Sequence, residues 1–292
     1  MTDQTQAPTR ARPSSSGWLT RLTRAAPTRP GETYGVPGSG DTTWLSLASI
    51  ALLLFLWWIV TATGWVKPLF VPSPGAILQK FADIWQNGFT NTSFLEHIAI
   101  STARVFGAFV LACALGIPLG LAMGMSPLVR GIFDPPIEFY RPIPPLAYLP
   151  LMIIWFGIGE TAKVLLIFLS VFAPVALGAR AGVKSAAIEQ IHAAYSFGAT
   201  RWQVMRHVIL PSALPEILTA MRIGVGFGWT TLVAAEMVAA TKGLGYMVLS
   251  ASQFLQTSTV IVGIIVIAAI AYAFDLLMRA VERRVVPWKG RM

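Results

Sequence analysis

Residues Ser185 to Pro215 read SAAIEQIHAAYSFGATRWQVMRHVILPSALP and lie between two long apolar runs. Nothing in this stretch is apolar enough to span a membrane. Ala186 to Phe197 is helix-forming, with Ile188, Ile191 and Tyr195 at i, i+3 and i+7 on one face. Gly198 suits the left-handed conformation that ends a helix. Thr200 is then a fair N-cap for a second helix, Arg201 to Ile209. Pro211 either stops that helix or opens the next apolar run. The spacing predicts a helix-Gly-helix hairpin, with the small Ala193 and Ala194 giving a compact knob. Taken alone, such a hairpin is either a docking element or a plain interfacial connector.

Working outward, the flanking sequence is that of a membrane protein. Hydrophobic residues make up 55% of the 292, charged residues only 12%, and the mean hydropathy is +0.64. So few charges cannot cover a water-soluble surface, and so many apolar residues exclude a disordered chain. A transmembrane helix needs about 17–25 mostly apolar residues. Uncharged runs of that kind are Trp44 to Ala62, Val105 to Met125, Pro142 to Gly159 and Val164 to Ala179. Pro211 to Ala240 is apolar except for Glu216, Arg222 and Glu236. Gly243 to Phe274 is uncharged but too long for one span; its first half reads as a re-entrant or interfacial segment, and the last span starts near Ser258. The expectation is an all-α bundle of six spans over residues 42–286. Residues 1–41, rich in Thr, Pro, Ser, Gly and Arg, are expected to form a disordered basic tail, and 287–292 a short second tail. The first span has too long an apolar core, and too much polar sequence before it, for a cleaved signal.

Six spans put both termini on one side, and the bases select the side. Of the 22 Lys and Arg, 17 fall in the two tails, the 180–222 region and the neighbourhood of Arg130 and Arg141. The other side holds Lys67, Lys80, Lys163 and Lys242, with Arg104 in or near a span. Termini and hairpin are therefore expected in the cytoplasm. The same asymmetry accounts for the net charge of +9 without a nucleic-acid partner. The single cysteine, Cys113, excludes an intramolecular disulfide. His97 is expected outside and His192 and His207 inside, so they share no metal, and no catalytic constellation falls on one membrane face.

Prolines at 118, 135, 136, 142, 144, 145, 150 and 174 break the spans. Breaks persist in a bilayer only where protein or a water-filled cavity satisfies the freed backbone. They suggest a pathway or moving parts, or kinked packing.

The offsets Ala193-Ala194-x-x-x-Gly198, nine residues, then Val208-Ile209-Leu210-Pro211 resemble the EAA loop of ABC-importer permeases. That pattern begins with Glu, where this chain has His192, and has Ile where it has Val208. EFYRPIPPLAYLPL at Glu138 to Leu151, WFGIGE at Trp155 to Glu160 and TLVAAEMVAATKGLGYM at Thr231 to Met247 extend the likeness. Together they are similar to the taurine, aliphatic-sulfonate and nitrate branch, nearest its taurine members, over about residues 45–290. The resemblance implies a type I importer bundle in the bacterial inner membrane. It implies a coupling loop at about 185–211, carried by His192, Ala193, Ala194, Gly198, Thr200, Arg201, Met205, Leu210 and Pro211. It further implies a second copy of the chain, a cytoplasmic ATPase dimer binding ATP and Mg, and a periplasmic binding protein that delivers a small sulfonate such as taurine. The chain itself lacks the G-x-x-x-x-G-K-[ST] phosphate cradle, so it is not expected to be an enzyme or to hold a cofactor. A secondary transporter driven by an ion gradient is the alternative, with no convincing repeat between residues 45–160 and 160–285 and no use for the hairpin, and a scaffold without a pathway is a third.

Ionisable residues inside spans are functional candidates. Glu236 shapes the outer mouth or braces a gate at Gly243-Leu244-Gly245, or else bonds to a neighbouring helix. Arg104 attracts anions, or pairs with an acid. Asp275 pairs with Arg279, four residues on. Trp229, Phe227 and Met237 line a pathway, or pack between helices. The topology has a direct check: in a Cys113→Ala background, Ser14→Cys and Gly290→Cys are expected to react with an impermeant thiol reagent only from the cytoplasmic side. Labelling of either in intact cells contradicts the arrangement.

Overall fold

The computed structural model describes residues 43–288. The expectations for the tail at 1–41 and for the chain beyond 288 lie outside the described residues. Among those described, the regular structure is helical, with one isolated bridge between Phe89 and Thr92. The chain divides at Pro74 into two compact units.

The first unit is built on α1, Thr43–Ala62. It is apolar all round, and Leu52, Leu53, Phe55 and Trp58 are exposed, as suits a helix whose solvent is lipid. Trp57 Nε1 donates to the carbonyl of Pro72 at 3.2 Å, tying the following loop back to the helix.

The second unit holds α2 (Pro74–Asn87), α3 (Phe94–Met125), α4 (Pro127–Tyr140), α5 (Pro145–Phe156) and α6 (Glu160–Val183). Next come α7 (Ile188–Ser196), α8 (Arg201–Val204), a π-helical turn (Met205–Ile209), α9 (Leu210–Ala239), α10 (Leu244–Gln253) and α11 (Thr257–Val285). Ser93 caps α3, accepting from the Glu96 N–H. Ser126 ends α3 and caps α4, whose first residue is Pro127, a position where no amide hydrogen is missed.

Helices α3, α6 and α9 form the core. Val105, Ala108, Phe109 and Ala112 of α3 recur at helical spacing and meet Ile167, Val171 and Val175 of α6 and Val225, Trp229 and Leu232 of α9. Helix α11 covers this cluster with Ile267, Ile270 and Phe274. In a bilayer, lipid is as apolar as the core, so close van der Waals contact holds helices together. Small residues supply it: a Cβ on Gly120 of α3 would collide with the Ala176 carbonyl of α6.

Five helical stretches are long and apolar enough to cross a membrane: Trp44–Ala62, Phe94–Met125, Glu160–Val183, Arg201–Ala239 and Thr257–Val285. The expected third span, Pro142 to Gly159, is not a long helix. The prolines at 142 and 144 break the chain after Tyr140, and α5 has 12 residues. Its length, ~18 Å at the helical rise, falls short of the ~30 Å apolar core of a bilayer. The expected division of Gly243 to Phe274 is present, as the ten-residue α10 and the long α11.

The hairpin has the expected shape with two differences. Its first helix is shorter, Ile188–Ser196 rather than Ala186 to Phe197. Its second runs without a break through Pro211 into α9. Pro211 has no N–H for the His207 carbonyl, and the π turn just before it pairs the Leu210 N–H with the Met205 carbonyl instead. Pro211 therefore opens the apolar run without stopping the helix.

The glycine contact has a measurable consequence. Gly120→Val forces α3 from α6 and is expected to destabilise the bundle by about 1–3 kcal/mol. Gly107→Ala, on the same helix with no neighbour within 4 Å, is expected to be near neutral. Thermal unfolding in detergent, read by the reaction of Cys113 with a thiol dye, separates the two; equal melting contradicts the close-packed contact.

Candidate functional site

At the α3 N-terminal end of the bundle, four elements meet on a buried ionic network. His97, Ser101 and Arg104 recur at i, i+4 and i+7 along α3 and are all buried. Glu236, near the end of α9, is fully buried beside them. Arg104 Nη1 donates to Glu236 Oε1 at 2.6 Å. Its Nε and Nη2 take both carboxylate oxygens of Glu160, each at 2.6 Å. That two-point contact fixes the guanidinium plane. Lys163, one turn along α6, adds a 2.9 Å bond to Glu160. Two cations thus face two carboxylates: Arg104, Lys163 and Glu236 are buried, and Glu160 meets them from the exposed side.

Glu236 also holds the backbone. It accepts from the Gly245 N–H at 2.8 Å, and Ser101 Oγ lies 2.8 and 2.9 Å from its two oxygens. Ser101 Oγ in turn accepts from the Leu244 N–H at 2.8 Å. Arg104 Nη1 reaches the Lys242 carbonyl at 2.9 Å. His97 Nδ1 accepts from the Gly243 N–H at 3.0 Å, the tautomer in which Nε2–H donates to the Phe89 carbonyl at 3.2 Å. The turn from Lys242 to Gly245 is therefore held at four consecutive residues. The turn requires its glycines. Gly243 has φ +127°, and a Cβ there would strike the Glu236 carboxylate; one on Gly245 would lie 2.8 Å from Glu236 Cβ. Lys242 adds a 2.6 Å bond to Glu96 at the start of α3.

Of the pathway and gate candidates, Arg104, Glu236, Gly243 and Gly245 are thus brought together. Arg104 pairs with acids and Glu236 braces the glycine turn. Arg104, Glu160 and Lys242 also line an open recess of about 510 Å³. Trp229 is not with them. It lies in the α3–α6–α9 core, 4% exposed, because it shares a helix face with Val225 and Leu232. Phe227, two residues earlier, points elsewhere and lines a separate cavity of about 600 Å³. Asp275 bonds Arg279 as expected and also Arg222 of α9, at 2.7 and 3.0 Å. Sequence reading missed Ser101, Glu160, Lys163 and the role of His97. The i, i+4, i+7 spacing of His97, Ser101 and Arg104 was the available signal. Among the described residues, no three His, Cys, Asp or Glu are grouped to hold a metal.

The hairpin lies beyond the opposite end of α6 and before α9. Gly198 has φ +82°. Its N–H bonds the Tyr195 carbonyl and the Ala199 N–H bonds the Ala194 carbonyl, a Schellman ending of α7. Thr200 and Gln203 form a reciprocal capping box that starts α8. The knob is left with apolar residues exposed: Ile188, Tyr195, Trp202 and Phe197, the last at 92%. None of α7 is buried. His192 and Arg201 are also exposed, Met205 and Leu210 half-buried.

Glu236→Ala removes the acceptor of three donors and is expected to lower stability by about 3 kcal/mol or more. Glu236→Gln keeps an acceptor and is expected to lose about half of that. Melting of the two variants followed at Cys113 checks the order; wild-type melting of Glu236→Ala contradicts a structural role for the network.

Residues 116–287 match the model of the family described as binding-protein-dependent transport system inner membrane component. The chain is 55% identical over 249 residues to the taurine transport system permease protein TauC of Escherichia coli (strain K12), covering 85% of this chain and 90% of that one. It is 33% identical over 255 residues to the putative aliphatic sulfonates transport permease protein SsuC of Bacillus subtilis (strain 168), covering 87% and 91%. Among solved structures, the MetNI methionine ABC transporter in inward-facing conformations, native crystal form, aligns with TM-score 0.57 at 18% identity over 65% of this chain and 95% of that chain. At that identity the likeness shows the fold alone. The family match over more than half of the chain, on a bundle with this fold, makes the chain a member of the binding-protein-dependent transport system inner membrane component family, an ABC-importer permease.

Proposed function

We propose that the chain is the membrane permease of an ATP-driven importer that carries a small sulfonate, taurine before others, from periplasm to cytoplasm. The observation that carries the solute class is the 55% identity to the taurine permease across nine-tenths of its length. Transport takes place by alternating access in a pair of these chains, each crossing the membrane six times; α4 and α5 together make the third crossing, so Arg141 between them lies within it and not among the cytoplasmic bases, which leaves 16 of those 17. Both termini and the hairpin are cytoplasmic.

The exposed hairpin is where the ATPase dimer docks. Clustered exposed aromatic and aliphatic side chains mark an interaction surface, and Phe197, Trp202, Tyr195 and Ile188 provide one. Its second helix is continuous with α9. A push on the hairpin therefore moves α9 as a rod, and α9 carries Glu236 at its far end. ATP and Mg belong to the partner, which supplies the chemistry. This chain supplies shape, and a periplasmic binding protein delivers the solute to the other face.

ATP-driven uptake by the permease with its ATPase and binding protein tests the reading with taurine, alkanesulfonates and nitrate in parallel. Taurine uptake is expected, and a proton or sodium gradient is expected not to replace ATP. Gradient-driven uptake into ATP-free vesicles contradicts it. Gly198→Val tests the coupling. A left-handed L-residue costs roughly 1–2 kcal/mol, and a β-branched one more, so the hairpin should re-aim while the bundle still inserts. Uptake is expected to be lost at wild-type membrane levels, with Gly198→Ala milder. Wild-type uptake by Gly198→Val makes the hairpin a mere connector.

A further inference from the structure

We propose that the cavity where the broken joint between α4 and α5 meets α6 and α9 is a binding site for a small organic zwitterion in transit. This rests on the import reading above and adds a resting place within the permease itself. The cavity has about 600 Å³, within the range of small-molecule sites. Leu169 and Leu177 of α6 and Ile223 and Phe227 of α9 give it apolar walls. Its polar groups fall into two kinds, one suited to each end of a zwitterion.

The anion side is formed by the joint. Arg141, which follows α4, is the charged residue among those lining the cavity. Its ion partner, Glu138, is 3.6 Å away, and both side chains are largely exposed, so the guanidinium keeps donors for an incoming group. Its planar fork suits an oxyanion such as a sulfonate. Helix α5 begins at the same place. Its N-cap, Pro144, lines the cavity and offers no side-chain cap, so the positive end of the helix dipole adds to Arg141.

The cation side is formed by α6. Pro174 lies inside that helix and has no N–H, so the carbonyl of Ser170, four residues back, lacks its helical donor. Both residues line the cavity. Ser170 Oγ donates to the Ile167 carbonyl at 2.7 Å, and Tyr140 Oη donates to the Leu169 carbonyl at 3.3 Å. The hydroxyl oxygens of both keep lone pairs, so this wall presents acceptors to an ammonium group. An acyl chain would fill the apolar part of the cavity and satisfy neither wall. A short molecule with an ammonium at one end and a sulfonate at the other offers a partner to each wall.

Radiolabelled taurine retained by the permease–ATPase complex in lipid nanodiscs, without the binding protein, tests the site. Saturable retention is expected for the wild type. Arg141→Gln, which removes the charged donor, and Ile223→Trp, which fills the cavity from an exposed position, are each expected to weaken it roughly tenfold or more. Arg141→Lys is expected to keep part of it. Melting at Cys113 reports whether each variant is folded. Ethanesulfonate, which lacks the ammonium, is expected to compete poorly. Uptake of taurine by the assembled importer is measured alongside. Uptake with no saturable retention, or folded Arg141→Gln and Ile223→Trp both binding as the wild type does, overturns the site. Retained phospholipid displaced by neither solute shows a lipid groove and also overturns it. Absence of taurine uptake by the wild type overturns the import reading, and this site with it.

Discussion

The buried pair of Arg104 and Glu236 is the contact on which the rest of the bundle's far end depends. Helix α3 brings the guanidinium, α9 the carboxylate and α6 the second acid, Glu160. A charge taken from water into an apolar core is costly unless it is paired and fully hydrogen-bonded. Here every neighbour of Glu236 is a donor: Arg104, Ser101 and the Gly245 amide. The network therefore specifies an arrangement of three core helices and also ties down the turn that leads into α10. Apolar packing alone would tolerate some sliding between such helices; this set of directional bonds does not.

Directional side-chain bonds at that end contrast with interrupted backbone bonding elsewhere. Prolines divide α4 from α5, and the π turn precedes Pro211 in the rod that joins hairpin to α9. These are the places where the chain has given up regular backbone hydrogen bonds. The cavity at Arg141 and Ser170 lies at the first of them. A bonded network at one end, an exposed hairpin at the other and prolines between them are the parts that the proposed alternating access would use.

Much of this was legible in the sequence, and the failures have physical causes. The hairpin could be read because Gly198 and Thr200 declare a helix end and a helix start locally. The long spans could be read because hydropathy depends on composition. The bounds of the third span failed because an uncharged run says nothing about where a helix starts: the prolines at 142 and 144, read as breaks, leave a 12-residue helix. The bracing of the Gly243–Gly245 turn by Glu236 was among the readings of that acid, whereas the spacing of His97, Ser101 and Arg104 along α3 was a signal not used. Glu160 was missed as Arg104's partner because it lies 56 residues away, a pairing that only the packing of α3 against α6 creates. Trp229 was left between two readings, because a helical aromatic reads alike whether it faces a pathway or a neighbouring helix; the structure packs it between helices.

Hydrogen exchange at the backbone amides of Leu244 and Gly245 tests most directly whether the buried network holds the turn. Both amides donate to buried side chains, at 2.8 Å each. In the purified permease in nanodiscs they are expected to exchange as slowly as amides in the middle of α3, and Glu236→Gln is expected to speed Gly245 most. Exchange of both at the rate of an exposed loop in the wild type would contradict the account.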